Sequence, residues 1–180
     1  REACELAERL ERQRAEARES RERECKRAAL REAEAQLREA TVHYETAGDR
    51  DGLWHVHGNL CDVLRQQGCF TEATELLQGE LRAVRESGTQ ERLALMLLNL
   101  AEIEVELMRL GRARQRLEAL EGELGSVGHL HIQAGLALVR AKLALASSEP
   151  EPAVRVLEPM VQTCSDAGMS VISESMRALL

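Results

Sequence analysis

The side chains best suited to chemistry are two histidine pairs, His55-Val56-His57 and His129-Leu130-His131, and Cys61, four residues after His57. A His/Cys pair four apart lies on one face of a helix, a spacing that zinc uses. Two ligands do not make a site, and Cys61 also reads as a small core hydrophobe. Glu102 and Glu106 share the same spacing, that of an acid–base carboxylate pair. On a helix this acidic they read as an exposed face. Cys69 falls in an expected turn with no base or basic cluster to favour its thiolate. A glycine-rich phosphate loop and a nucleophile elbow are both absent. The expectation is no catalytic residue, no metal site and no cofactor: a chain that binds rather than converts.

The elements that would position these residues follow from a repeat. Gly48, Gly88, Gly128 and Gly168 are forty residues apart, as are Ala33, Ala73, Ala113 and Ala153, and Leu37, Leu77, Leu117 and Leu157. Three ladders in one register mark a repeat array of stacked supersecondary units. Hydrophobic residues make up 44% of the 180-residue chain but aromatics only 2%, so the core must be built from aliphatic side chains. Ala, Leu, Glu and Arg dominate, and these are good helix formers. The fold class expected is all-α.

Charge and cysteine usage narrow the function. The net charge of −7 argues against a nucleic-acid binder, which would carry a basic face. A run of eighteen apolar residues is absent, so no membrane span is expected. Five cysteines at unrelated spacings fit an intracellular, cytoplasmic setting better than a disulfide framework. The chain lacks an initiating Met and stops within an apolar-periodic segment, which reads as a fragment of a longer protein.

In order, residues 1–47 form one charged helix, with eleven Arg or Lys against twelve Glu. Pairs such as Glu19 and Arg23, and Glu34 and Arg38, stand four apart with Glu first, the favourable order. Leu6 and Leu10 make a short stripe. From Leu30 an apolar seam appears: Leu30, Ala33, Leu37, Ala40, Tyr44. Residues 1–29 are therefore read as a charged helix, solvent-exposed or paired in a coiled coil, and 30–180 as the helical array. Its hairpins span about 51–87, 91–127 and 131–167, with partial hairpins at 30–47 and 169–180. Gly68 is placed to end a helix in a left-handed conformation, and Thr71 to cap the next. Pro150 and Pro152 suit a helix start. Pro159 falls inside that helix and should remove a hydrogen bond.

At these positions the chain resembles the tetratricopeptide-repeat family. The small residues of the first helices are Cys61, Ala101 and Ala141; the alanines twelve later are Ala73, Ala113 and Ala153; the large apolar residues four beyond are Leu77, Leu117 and Leu157. Asn59 to Leu77 matches best. The period is forty rather than the family's thirty-four, similar to the long-helix variant in sensor arms of bacterial signalling ATPases and in eukaryotic scaffold proteins. Glu104 and Arg140 occupy positions usually apolar. Gly58, Asp62, Leu98 and Glu102 stand where some chaperone-binding members carry a carboxylate clamp, so that clamp is not implied. The resemblance implies a right-handed superhelical solenoid of antiparallel hairpins.

It also implies a binding wall on the first helices. Its inward positions are His55, Gly58, Asp62, Arg65 and Gln66, then Leu95, Leu98, Glu102, Val105 and Glu106, then Gly135, Leu138, Lys142, Leu145 and Ala146. An apolar strip with acidic groups suits a partner helix or peptide with apolar anchors and basic residues. The function expected is a protein-interaction scaffold; the alternative is the regulatory or sensor arm of a multidomain signalling ATPase or kinase. Val171, Ile172, Met176, Leu179 and Leu180 form a last apolar face. It should pack partly on Val156 and Met160, and leave Leu179 and Leu180 open for self-association.

Overall fold

The computed structural model describes the backbone of residues 2–87, 89–124 and 129–180, and the side chains of 15–86, 89–122 and 129–180. Gly88 and Gly128 of the glycine column, and the side chains of Leu6, Leu10 and Leu124, lie outside these. Every regular element among the described residues is an α-helix. They are α1 (Glu2–Ala47), α2 (Arg50–Gln66), α3 (Phe70–Ser87), α4 (Gln90–Glu106), α5 (Leu110–Leu124), α6 (Leu130–Ala146), α7 (Pro150–Asp166) and α8 (Ser170–Arg177). Among the described residues, no helix is long and apolar enough to cross a membrane.

The helices begin and end where local chemistry dictates. Asp49 caps α2, its Oδ1 accepting from the Asp51 and Gly52 amides at 3.1 and 3.0 Å. Thr89 caps α4, accepting from the Arg92 amide. Thr71 does not cap α3, because that helix starts at Phe70 and the Ala73 amide already donates to the Cys69 carbonyl at 3.1 Å. The preceding turn is too tight to leave Thr71 outside the helix. There, Gly68 has φ +80°, and the Cys69 and Gly68 amides donate to the Leu64 and Arg65 carbonyls. This is the Schellman closure of a helix end. It recurs at Met108 and Ser148, forty and eighty residues on, with φ +55° and +62°. Pro150 opens α7 as expected, and α7 continues through Pro159, which has no N–H to offer the Arg155 carbonyl.

The chain divides into two compact units, residues 2–73 and 74–180. In the first, the C-terminal half of α1 packs on α2. Leu30, Ala33, Leu37, Ala40 and Tyr44 are all partly buried, whereas residues 15–29 are exposed. The uneven apolar content of α1 is the cause: only its second half has a seam to bury. A Cβ at Gly52 would collide with the Tyr44 ring, so this glycine lets α1 and α2 approach. Cys61 and Ala73 are fully buried.

In the second unit α4 pairs with α5, α6 pairs with α7, α4 lies against α6, and α8 packs on α7. Ala101, Ala113, Ala141 and Ala153 are buried at these contacts, with Leu117 and Leu157 beside them. Both ladders thus mark the core. Met176 of α8 is fully buried against the α6–α7 core, with Ile172 and Leu179 packed around it. Leu179 is thus covered more than expected, while Val171 and Leu180 remain 75% and 53% exposed.

Candidate partner-binding face

The expected wall residues divide between the two units. On α2, His55 and Gln66 are exposed, and Asp62 and Arg65 are partly buried. Arg65 and Asp62 pair with each other at 3.4 Å, one turn apart. The His55 ring meets Trp54 edge-on, with centroids 4.6 Å apart. These four are mainly polar and offer little apolar area to a ligand.

The second unit carries the apolar positions, and it covers some of them. Leu98 and Val105 are buried, contrary to the open wall positions expected. The reason is the stacking of α6 on α4: a Cβ at Gly135 would come within 3.1 Å of Leu98 Cδ1, so Leu98 fills the space that this glycine leaves. Within this unit the α4 strip is covered by α6. One repeat later, the equivalents of Leu98 and Val105 are Leu138 and Leu145. Leu138 is partly buried and Leu145 is 37% exposed. Helix α8 is eight residues long, against seventeen for α6, and cannot cover the whole α6 strip. Leu95, at the start of α4, is also partly open, and Glu106, at its end, is exposed.

The acidic part of the wall is also changed. Glu102 of α4 forms an ion pair with Lys142 of α6, forty residues on, with the Glu102 side chain only 14% exposed. The two wall charges neutralise one another across the helix contact. The same register pairs Glu91 with His131 at 2.9 Å.

Glu104, in a position usually apolar, is buried. Arg116 and Arg109 stand 3.6 and 3.7 Å from its carboxylate oxygens. Arg116 also lines a cleft of about 400 Å³ with Arg85, Leu97, Arg112, Gln115 and Ala119. Three guanidiniums face this cleft, and Glu104 offsets one of them. In the first unit, Arg38 Nε donates to Glu34 Oε1 at 2.9 Å, and its other arm pairs with Glu72. This guanidinium holds the Glu34 carboxyl below its ordinary range.

His57 and Cys61, the zinc-spaced pair, are both buried in the first unit. The group that sequence reasoning missed is elsewhere. His129 and His131 were visible as a pair, but Glu91, which joins them, was not connected to them. The signal was present in the register, since Glu91 and His131 are forty apart. No family model, no curated protein and no solved structure matches this chain, so its own geometry carries the functional argument.

Proposed function

We propose that this chain is a tetratricopeptide-like interaction module that holds a partner helix or extended peptide along α4 and α6. The observation that supports it most is the half-open apolar strip Leu95, Leu138 and Leu145, flanked by exposed Glu106, on helices most of whose other apolar residues are buried. A strip of this kind suits apolar anchors spaced along a helix or strand, with a basic residue near Glu106. The Glu102–Lys142 pair would serve as a fixed polar floor. The four described free thiols, Cys25, Cys61, Cys69 and Cys164, accord with a reducing, intracellular setting.

Panning a random peptide library on the full chain tests this reading. The selected peptides should carry apolar anchors and basic residues. Their affinity should fall at least about tenfold for Leu145→Arg, the loss of one buried anchor contact. Circular dichroism should be unchanged, because Leu145 is exposed. Equal affinity for wild type and variant would overturn the placement.

A further inference from the structure

The start of α6 holds a combination that peptide binding does not use. His129, His131 and Glu91 each present a ligand atom, and these atoms all lie within 4.8 Å of one another. His131 Nε2 and Glu91 Oε1 are already 2.9 Å apart, and the two imidazole centroids are 5.7 Å apart. From these contacts we infer that Glu91, His129 and His131 form a binding site for a divalent transition-metal ion, Zn²⁺ being the best fit.

The donor set carries the argument first. Two imidazoles and one carboxylate suit zinc, and this set leaves a fourth position open to water. Metal–ligand bonds of about 2.0–2.2 Å place tetrahedral donors roughly 3.3 Å apart. The observed spread therefore needs to contract by about 1.5 Å at most. The side chain free to do so is His129, which is exposed at the end of its helix.

The second observation is a local sacrifice. Position 49 is Asp and position 89 is Thr, and both side chains cap the helices they precede. Position 129 of the same register is His and position 169 is Met, and neither makes a side-chain capping hydrogen bond; of the two, only His offers a metal ligand. Histidine is not among the residues favoured at that place, so helix stability alone does not select it. Local choices that break a structural rule concentrate at functional positions. His131 and Glu91 come from different helices, α6 and α4, so a bound ion would tie the two hairpins together. The partial positive charges of two nearby helix starts oppose a cation, but they are screened at exposed positions. They make this site weaker than a four-ligand structural one without removing it.

The test uses the full chain at pH 7.5. Zn²⁺ is titrated calorimetrically and Co²⁺ by absorption spectroscopy. One equivalent should bind, with a Co²⁺ spectrum of nitrogen and oxygen ligands. His129→Ala, His131→Ala and Glu91→Gln should each weaken binding by about tenfold or more. Zn²⁺ should raise the melting temperature of wild type more than that of His129→Ala, because the weaker site gives less stabilisation at the same Zn²⁺ concentration. Three results would each overturn the site: no stoichiometric binding, unchanged affinity in both histidine variants, or a thiolate charge-transfer band pointing to cysteine ligands.

Discussion

Met108 shows how the repeat constrains single residues. Its turn demands a left-handed backbone, which Gly68 supplies without cost one repeat earlier. A side chain there costs roughly 1–2 kcal/mol, and glycine gives back about half of that through unfolded-state entropy. Met108 is 65% exposed and has little packing to lose. Met108→Gly should therefore stabilise the chain by up to about 1 kcal/mol, read from the urea midpoint; a lower midpoint would contradict the turn assignment. Glu104 gives the opposite case. Removing its nearer cation with Arg116→Ala leaves a buried carboxylate poorly matched and should destabilise by about 1–2 kcal/mol. Adding Glu104→Leu should restore most of that loss, because the position then becomes apolar. A double variant as unstable as the single one would show that Arg116 acts through packing instead.

At the scale of elements, the crossing alanines are the most constrained positions. Ala113 is fully buried, and Ala113→Leu should overpack its site by about 1–3 kcal/mol, measured by thermal or urea unfolding. Little loss would mean that the helices do not meet there. These positions were legible in the sequence because small residues at close contacts repeat without insertion. The end of α2 was legible because Gly68 carries a local signal, whereas Thr71 misplaced the start of α3, which begins at Phe70. What was not legible is the coverage of one element by another. Leu98 and Leu138 hold the same repeat position, yet Leu98 is buried because Gly135 admits it. That depends on the neighbouring helix, not on the residue itself. Glu91 and the two histidines were unrecognised for the same reason: a site shared by two helices has no motif along one.

For the whole molecule, a forty-residue register organises burial, turns and side-chain pairs alike. It fixes Glu102 against Lys142 and Glu91 against His131. The register leaves apolar surface at α8, where Val171 and Leu180 stay exposed. A contiguous apolar patch promotes association. Sedimentation should therefore show concentration-dependent association of the full chain, abolished by Val171→Glu with Leu180→Glu. Identical sedimentation of the two would remove this face from consideration. Hydrogen exchange probes the proposed α4–α6 binding face. Exchange is followed with and without a selected peptide. Added protection is expected in residues 95–106 and 135–146, with little change in 15–29. Protection confined to α1, α2 or α8, with α4 and α6 unaffected, would contradict it.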